Sequence, residues 1–319
     1  MNNELKTYIE SSKLSPLLLD KSVTDVSFNG TSIFYQDNVK GRLKSNIEFS
    51  NQEAIAFIRQ IANMAEKQFS FQSPILDISV ANYRINAVHS SIVRIGDEKA
   101  ISFSIRIGSY ESRIQNDYKF MPRSARKILK EMLYSGTSIV IAGQTGTGKT
   151  ELQKYLLMSL IDNTRIIIID NIQELDAVRQ NENLDITSWQ LNPGIEEGSF
   201  QMLIRNALRS NPDWLVIAES RGKEMNDTLN SVLTGHPIIT TLHADDIYSI
   251  PDRITRMVEM SDSTQRYDDI YHDVMKHMKG YVFLRKRINN RGNVIRYISE
   301  IALSDGKELK IMYQKEEEK

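Results

Sequence analysis

The spacing of apolar residues in the first hundred positions predicts two helices and several short strands. Apolar residues recur at helical spacing within 1–20 and 51–67, and between these segments, over 23–35, they alternate with polar residues. Asn29-Gly30 interrupts that alternation, as is typical of a β-hairpin turn. Three further strands are predicted at 75–80, 83–89 and 100–106. Residues 1–107 are therefore interpreted as a small α+β domain.

After residue 121 the hydrophobic pattern becomes continuous within each strand. A helix is predicted between Pro122 and Gly136, and short apolar runs then alternate with helical segments, at 138–142, 165–170, 214–218 and 238–242. Such runs are typical of strands buried on both faces, as in a parallel sheet. The pattern then returns to strands at 281–286, 294–303 and 308–313. We predict an α/β domain over 122–319, joined to the first domain by a linker at 108–121, where periodicity is weak.

A glycine-rich segment joins the first of these buried strands to a helical pattern. Strand, glycine-rich turn and helix form the context of a phosphate-binding P-loop. The glycines let the backbone curl around an anion, which the positive end of the helix dipole also faces. Lys149 is suited to the terminal phosphates and the Thr150 hydroxyl to Mg²⁺. The residues assigned to the nucleotide are Gly143, Gln144, Thr145, Gly146, Thr147, Gly148, Lys149, Thr150 and Glu151.

Carboxylates follow two of the other buried strands. Glu219 emerges at the end of the 214–218 run, at the edge where open α/β sheets bind ligands, and there it can act on Mg²⁺ through a water or orient the attacking water. Asp170 and Glu174 follow the 165–170 run, and they lie near the P-loop if that strand neighbours the P-loop strand. Acidic residues often follow strands, so this second pattern is weak by itself.

Two histidines and several arginines complete the candidate set. His243 follows the 238–242 strand at the same edge as Glu219 and is placed to donate to a γ-phosphate, whereas His236 precedes that strand and is interpreted as structural. Arginine suits forked contacts with phosphate, although each arginine alone is more often a surface charge. The arginines considered are Arg84, Arg94 and Arg106 in the first domain and Arg205, Arg209 and Arg221 around the Glu219 strand.

Composition limits the class of partner. Lys plus Arg number 40 against 41 for Asp plus Glu, which gives no electrostatic case for an obligatory nucleic-acid partner. The chain has no cysteine, which excludes disulfides and thiolate zinc sites and fits a reducing, cytoplasmic setting. No apolar stretch approaches the roughly 20 residues of a membrane span, and the N-terminal residues lack a signal-peptide pattern. We therefore expect any membrane contact to be peripheral.

Four blocks, in this order, resemble the type II/type IV secretion ATPase family, the traffic ATPases of conjugation, effector secretion and pilus assembly. They are residues 143–150, 170–175, 208–222 and 234–244. The similarity extends into the first domain at 23–30 and 83–88, so it covers nearly the whole chain. Glu219-Ser220-Arg221-Gly222 resembles the conjugation/secretion branch together with the tight-adherence pilus ATPases. The tetracysteine zinc module of other branches is excluded by the lack of cysteine.

The resemblance implies a RecA-like P-loop ATPase domain preceded by a small α+β, PAS-like domain, in a homo-hexameric ring with ATP bound between the domains. It implies that Lys149 and Thr150 hold phosphate and Mg²⁺, that Glu219 is the Walker B carboxylate, and that Glu174 and His243 belong to the family's acidic and histidine boxes. Arg106 resembles the first-domain arginine that reaches the nucleotide, and Arg84 is the weaker candidate.

Three positions depart from the family pattern. Asn171 and Ile172 stand where an acidic residue and a threonine are usual, which weakens a metal role for that box. Ala218 replaces the glycine that usually precedes the Walker B glutamate.

We predict an ATPase that hydrolyses Mg-ATP to power secretion, conjugative transfer or pilus assembly with inner-membrane partners, through closure of the first domain onto the nucleotide. The alternatives are an ATP-ordered assembly scaffold without turnover, which the departures leave open, and a RecA-like nucleic-acid translocase, which a near-zero net charge does not favour. A small-molecule P-loop kinase leaves the first domain and residues 234–244 without a purpose.

Overall fold

The protein divides into two compact units. The structure is a computed structural model that describes residues 2–109, 112–171, 175, 178–179, 181–192, 194–261 and 265–316. Unit 1 comprises Met1–Tyr110 together with Ile288–Val294, and unit 2 comprises Glu111–Arg287 and Ile295–Lys319. The chain therefore passes from one unit to the other at three points. The domain bounds given above stay a prediction.

Unit 1 is an antiparallel sheet with helices packed on one face. Its helices are α1 (Asn2–Glu10), α2 (Ser15–Leu18) and α3 (Asn51–Met64). Its strands are β1 (Val23–Phe28), β2 (Ile33–Asp37), β3 (Gly41–Lys44), β4 (Ile75–Val80), β5 (Tyr83–Val88), β6 (Arg94–Ile95), β7 (Glu98–Lys99) and β8 (Ser102–Ile107). The main sheet has the order β3-β2-β1-β8-β5-β4. Alternate residues of β4, β5 and β8 are buried, so one face carries the core and the other meets solvent.

Local sequence explains the turns and caps of unit 1. Asn29 turns the chain between β1 and β2, its side chain accepting the backbone N–H groups of Thr31 and Ser32. Helix α3 begins with a capping box, in which Ser50 and Glu53 each accept the other's backbone N–H. The hairpin at Asn29-Gly30 and the strand Ile75–Val80 thus lie where the sequence predicts them. The predicted helix of 1–20 is instead two short helices, separated by the turn at 11–14.

Unit 2 is a mixed sheet covered by helices on both faces. Its helices are α4 (Arg123–Tyr134), α5 (Lys149–Leu157), α6 (Phe200–Leu208), α7 (Glu224–Leu233), α8 (Ser249–Glu259) and α9 (Tyr267–His277). Its strands are β9 (Ile139–Gly143), β10 (Arg165–Asp170), β11 (Asp185–Gln190), β12 (Trp214–Ile217), β13 (Ile238–Leu242), β14 (Gly280–Ile288), β15 (Val294–Ser304) and β16 (Leu309–Gln314). The sheet order is β11-β10-β12-β13-β9-β14-β15-β16.

Successive residues of the central strands point into two separate cores. Ile139 and Ile141 belong to the core beneath α4 and α5, whereas Val140 and Ala142 belong to the core on the other face, with α7 and α8. Strands β9, β12 and β13 are buried along their whole length, which accounts for their continuous apolar runs. Strands β11 and β16 lie at the edges of the sheet and are largely exposed.

Part of the predicted linker 108–121 packs within unit 2. Ile114, Phe120 and Met121 are buried in the core beneath α4 and α5. Phe120 also accepts the backbone N–H of Ile298 through its carbonyl oxygen. Residues 110 and 111 lie outside the described residues. The end of the predicted linker is therefore part of unit 2.

The turn between β14 and β15 clusters with unit 1. Val294 donates its backbone N–H to the carbonyl of Val39 at 2.6 Å, and a side-chain atom of Val294 lies 3.5 Å from where a Cβ on Gly41 would be. Val39 belongs to the turn between β2 and β3.

Among the described residues, no helix is long and apolar enough to cross a membrane.

Candidate nucleotide-binding site

The glycine-rich segment forms a tight loop between β9 and α5. Gly143, Gly146 and Gly148 have φ angles of 147°, 75° and 101°, which side chains other than glycine rarely adopt. A Cβ on Gly143 would lie 2.5 Å from the Leu284 carbonyl oxygen on the neighbouring strand β14. The loop can therefore take this path only with glycine at its start. Gly148 precedes the first residue of α5, so the positive end of that helix opens directly onto the loop.

Lys149 folds back over the loop that precedes it. Its Nζ donates to the carbonyl oxygens of Gly143 at 2.8 Å and Gln144 at 3.3 Å. The pKa of Lys149 is lowered to about 8, chiefly by burial; the negative charge of Glu219 opposes the shift, and the positive charges of Arg221 and Lys286 add to it. An ammonium group in this position gains from a bound anion, which would restore its usual pKa.

Glu219 lies at the carboxyl edge of the sheet with its two oxygens in different surroundings. Oε2 accepts a hydrogen bond from Arg221 at 2.7 Å. Oε1 is buried and has no hydrogen bond to the described residues, although His243 Nε2 lies 3.1 Å away. That contact does not have hydrogen-bond geometry. Burial alone raises the pKa of Glu219, but the hydrogen bond and charge of Arg221, with His243 and Lys149, bring its pKa below the usual value.

His243 joins these two groups because of the order of the strands. Strand β13 lies between β12, which ends before Glu219, and β9, which leads into the P-loop, and all three are parallel. Their carboxyl ends therefore meet at one edge of the sheet. His243 Nδ1 lies 3.4 Å from Lys149 Nζ, on the opposite side of the ring from Glu219. Lys149, Glu219 and His243, predicted from separate motifs, are brought together here.

Several bonds hold these strand ends in place. The buried Gln153 on α5 donates to the carbonyl of Ile217 at 3.2 Å, and the Thr241 hydroxyl donates to the carbonyl of Ala218 at 2.8 Å. These carbonyls belong to the last residue of β12 and to the turn from which Glu219 emerges. The position of Glu219 is thus set by the P-loop helix on one side and by β13 on the other.

Two P-loop residues are placed differently from each other. Thr150 begins α5 beside Lys149 and is half-buried. The Glu151 carboxylate accepts the backbone N–H of Arg113 at 2.8 Å and pairs with the buried Lys154 at 3.2 Å. The Glu151 side chain therefore binds the segment before α4 and Lys154. The assignment of Glu151 to the nucleotide rests on its backbone N–H at the start of the helix.

The second acidic box does not lie beside the P-loop strand. Strand β10, which ends at Asp170, pairs with β11 and β12, so β12 and β13 separate it from β9. At about 4.8 Å per strand, that distance is roughly 14 Å. Asp170 is buried and accepts the backbone N–H of Leu175 at 3.2 Å. Asp170 was expected near the P-loop only if β10 neighbours β9, and it does not. Glu174 lies outside the described residues.

Arg84 and Arg106 face each other on the exposed face of the unit 1 sheet. They form a direct cross-strand pair between β5 and β8, with Asp25 opposite Arg106 on β1. Arg84 pairs with Asp77 at 3.1 Å and Arg106 with Asp25 at 3.5 Å. Like charges directly opposite each other destabilise a sheet, and here a carboxylate on a neighbouring strand offsets the charge of each arginine. The relation of this arginine pair to the nucleotide stays a prediction.

The remaining candidates have local partners. Arg205 pairs with the buried Asp227 at 3.0 Å, and the His236 Nδ1 lies 3.2 Å from the Thr234 hydroxyl, before β13. Arg94 lies on β6, and Arg209 follows the last residue of α6. Among them only Arg221 belongs to the group around Glu219 in the described part of the chain.

Sequence reasoning missed two cations that bind the tip of the P-loop. Lys286 on β14 donates to the Thr145 carbonyl at 2.7 Å, and Arg296 on β15 donates through Nε to the Gly146 carbonyl at 2.7 Å. Lys286 lies in a run of three basic residues and Arg296 lies between Ile295 and Tyr297, and neither pattern gives any sign of these bonds. The signal appears only once β14 is known to lie beside β9.

The donor set fits a nucleotide phosphate chain and one magnesium ion. Four cationic side chains surround the loop, those of Lys149, Arg221, Lys286 and Arg296. At Gly143 the backbone leaves no room for a Cβ atom. Among the described residues, no group of three or more His, Asp or Glu is arranged to hold a metal by itself. Magnesium needs none, because it is usually held by one or two protein oxygens and by substrate phosphates. The Thr150 hydroxyl and the buried Glu219 Oε1 suit such an ion and its water.

Comparison with known proteins relates this geometry to a family. A model of the family described as "Type II/IV secretion system protein" matches residues 36–276. An uncharacterised protein of Bacillus anthracis is 30% identical over 290 residues, covering 88% of this chain and 64% of that protein, so the chain spans less than two thirds of that relative. The type IV secretion system protein VirB11 of Bartonella quintana is 25% identical over 289 residues, covering 78% of this chain and 80% of that one.

The fold is shared with a solved structure. The Legionella pneumophila ATPase DotB superposes with a TM-score of 0.68 and 19% sequence identity, covering 96% of this chain and 82% of that one. The predicted fold class, a RecA-like α/β P-loop domain preceded by a small α+β domain, is confirmed. Because the family model matches about three quarters of this chain, the chain belongs to the type II/IV secretion system protein family.

Proposed function

We propose that the protein is a Mg²⁺-dependent ATPase. The observation that carries the proposal is the meeting of Lys149, His243 and Glu219 at the carboxyl ends of three parallel strands. His243 lies between the other two, with Nδ1 3.4 Å from Lys149 Nζ and Nε2 3.1 Å from Glu219 Oε1. A P-loop needs a cation for the phosphates and a carboxylate beyond the γ-phosphate, and these contacts supply both.

The electrostatics favour a positioning role for Glu219. Because its pKa lies below the usual value, Glu219 is ionised at neutral pH and is a weak base. It is suited to accept a hydrogen bond from the attacking water and so orient it, rather than to remove its proton early. Lys149 then neutralises charge on the terminal phosphates, and the N-terminus of α5 supports the same charge. Magnesium, held by the Thr150 hydroxyl and by Glu219 through water, would supply further charge neutralisation.

Family membership extends the proposal beyond the single chain. We propose that hydrolysis powers secretion, conjugative transfer or pilus assembly, that six copies form a ring, and that the ring acts with inner-membrane components at the inner face of the membrane. The name of the Bartonella quintana relative, a type IV secretion system protein, supports the setting. Arg106, and less directly Arg84, are proposed to meet the nucleotide when unit 1 closes, since a pair of opposed arginines gains from an anion.

Phosphate release by the purified protein tests the proposal. We expect ATP hydrolysis that requires Mg²⁺ and is abolished in Lys149→Ala. Glu219→Gln keeps the shape of the side chain, so it is expected to retain ATP binding while hydrolysis falls by about a hundredfold or more. Lys127→Ala is the matched control and is expected to behave as the wild type, because Lys127 is an exposed lysine on α4 that pairs with Glu131 one turn away.

Two results would overturn the proposal in different ways. A wild-type protein that binds ATP but releases no phosphate, with Glu219→Gln unchanged, is the behaviour of an assembly scaffold. Hydrolysis that appears only when DNA is added, and that falls steeply with salt, is the behaviour of a nucleic-acid translocase.

A further inference from the structure

The tip of the P-loop is held by two side chains from the far end of the chain. Lys286 Nζ binds the carbonyl oxygen of Thr145 and Arg296 Nε binds that of Gly146, each at 2.7 Å. Together we name Lys286 and Arg296 the carbonyl clamp. Strand β14 lies beside β9 and β15 follows β14 in the sheet, so the clamp approaches the loop from the side of the sheet away from Glu219 and His243.

Peptide geometry translates these two bonds into an orientation of donors. A trans peptide is planar, so the N–H of one residue points opposite to the carbonyl of the residue before it. With the carbonyls of Thr145 and Gly146 directed at the clamp, the N–H groups of Gly146 and Thr147 are directed away from it. Those N–H groups are the ones a P-loop offers to phosphate oxygens.

Without the clamp, this part of the loop has freedom to reorient. Gly146 has a φ of 75° and its neighbourhood is open, the nearest atom to a Cβ built there being Lys286 Nζ at 3.6 Å. Residues 144–146 are exposed, so packing does not hold their peptides. Glycine adopts φ values of either sign at similar cost, so the peptides around Gly146 turn over easily. Fixing them before the ligand arrives lowers the ordering cost of binding.

The clamp also strengthens the donors that it orients. A cation bound to a carbonyl oxygen polarises the peptide unit, and the N–H at its other end becomes a better donor. Arg296 is present despite an unfavourable setting, since burial, followed by the charge of Arg113, lowers its pKa. A guanidinium there is thus costly and its bond to the loop is a specific compensation.

We propose that Lys286 and Arg296 are positioning residues that set the P-loop peptides for nucleotide phosphates. This inference rests on the proposed nucleotide site and names two further residues on which it depends. Because the clamp binds carbonyl oxygens of the loop and not the reacting atoms, it acts on ground-state binding. ATP and ADP are therefore affected alike, and the chemical step at saturating ATP is affected little.

Nucleotide titration of Lys286→Ala and Arg296→Ala tests the proposal. Each variant is expected to raise the Kd for ADP and the KM for ATP about tenfold, with kcat within about twofold of wild type. The conservative variants Lys286→Arg and Arg296→Lys are expected to recover most of the affinity. Arg285→Ala is the matched control: Arg285 precedes Lys286 on β14 but pairs with Glu300 and stacks on Phe283. Its Kd is expected to equal that of wild type.

A spectroscopic measurement separates this role from a general loss of stability. In ¹⁵N-labelled protein, the amide resonances of Gly146 and Thr147 are expected to shift and broaden in both alanine variants before any nucleotide is added. Resonances of the β10 amides, such as Ile167 and Ile168, are expected to stay unchanged. Lys286 is exposed, so its substitution leaves the core intact.

The outcomes distinguish the inference from the function on which it rests. Wild-type binding of ADP together with unchanged Kd in Lys286→Ala and Arg296→Ala overturns the clamp and leaves the ATPase proposal standing. A fall in kcat with an unchanged Kd also overturns it, because the two residues would then act in the transition state. A wild-type protein that binds neither ADP nor ATP overturns the nucleotide site itself.

Discussion

The two sheets of this protein place their charged residues in opposite ways. In unit 1 every described neighbour in the main sheet is antiparallel, and Arg84 and Arg106 lie along the strands, paired with carboxylates of neighbouring strands. In unit 2 the five pairings from β11 to β14 are parallel, and Lys149, Glu219 and His243 come from the segments that follow β9, β12 and β13.

The difference follows from the direction of the strands. Antiparallel strands end alternately at opposite edges, so residues that follow them are dispersed, and charge gathers on a face through cross-strand pairs. Parallel strands all end at one edge, so turns separated by many residues converge there. Unit 2 can therefore build a reaction site from backbone and side chains of distant segments, whereas unit 1 presents cross-strand ion pairs on the face of its sheet.

Glycine substitutions give the largest expected contrast between the units. A Cβ on Gly143 in unit 2 meets the Leu284 carbonyl at 2.5 Å, a backbone atom that cannot move without distorting β14. Gly143→Ala is therefore expected to abolish ADP binding in a calorimetric titration. Gly30→Ala in unit 1 is the counterpart: at a φ of 100° its Cβ meets the end of the Ile95 side chain and the Ala100 Cβ, so it is expected to lower the stability of unit 1 and to leave ADP affinity unchanged. Unaltered ADP binding by Gly143→Ala would remove the contrast.

Arginine substitutions test whether the charged face of unit 1 serves the site of unit 2. Arg106→Ala is expected to reduce ATP hydrolysis by about a hundredfold, since an arginine directed at developing phosphate charge contributes on that scale. Thermal stability is expected to change little, because the opposed Arg84 then loses an unfavourable neighbour. Arg42→Ala, on β3 of the same unit and bonded to Ser27, is the control. Equal rates for both variants would contradict a role for Arg106.

The pH dependence of nucleotide binding belongs to unit 2 alone. Phosphate binds the ammonium form of Lys149. In the free protein the pKa of Lys149 is lowered to about 8, chiefly by burial; Glu219 opposes this shift, and Arg221 and Lys286 add to it. As pH rises through that value the proton is lost and affinity falls, by about tenfold between pH 7 and pH 9. ADP titrations across this range measure it. Lys149→Arg keeps its charge at these pH values, so its affinity is expected to lose this slope, and a slope that persists would assign the titration to another group.

The helix cap of α3 gives the smallest effect, confined to unit 1. Ser50→Ala removes the side-chain acceptor for the Glu53 backbone N–H, and is expected to lower the free energy of unfolding by about 1 kcal/mol. Chemical denaturation followed by circular dichroism measures this. ADP affinity is expected to stay at the wild-type value, and a parallel loss of affinity would show that the two units are not energetically separate.

The sequence predicts the strands that are buried on both faces and the motif that follows them. Arg165–Asp170 and Ile238–Leu242 coincide with the predicted runs, because burial on both faces favours apolar and β-branched residues at successive positions. Strand β11 was not predicted: it lies at the sheet edge, is exposed or half-exposed along its length, and contains polar residues that resemble a loop. Hydrophobic periodicity reports burial, and an edge strand has little of it.

Spatial order is the part that sequence order does not supply. Asp170 follows the next strand along the chain after the P-loop strand, yet β12 and β13 are inserted between the two. His243 gains its place between Lys149 and Glu219 from that same insertion. The carbonyl clamp could not be predicted from the sequence for a further reason. Its two bonds are accepted by backbone carbonyl oxygens, which every residue has, so the side chains of Thr145 and Gly146 give no signal.

The three passages of the chain between the units restrict how the protein can be cut apart. A single proteolytic cut between residues 110 and 111 leaves unit 1 still attached through Ile288–Val294, whose Val294 binds Val39. An isolated fragment ending at residue 110 lacks that piece of its own fold, and a fragment beginning at 111 carries it without its partner strands. Separately produced fragments therefore have complementary missing surfaces, and mixing them should rebuild the nicked molecule.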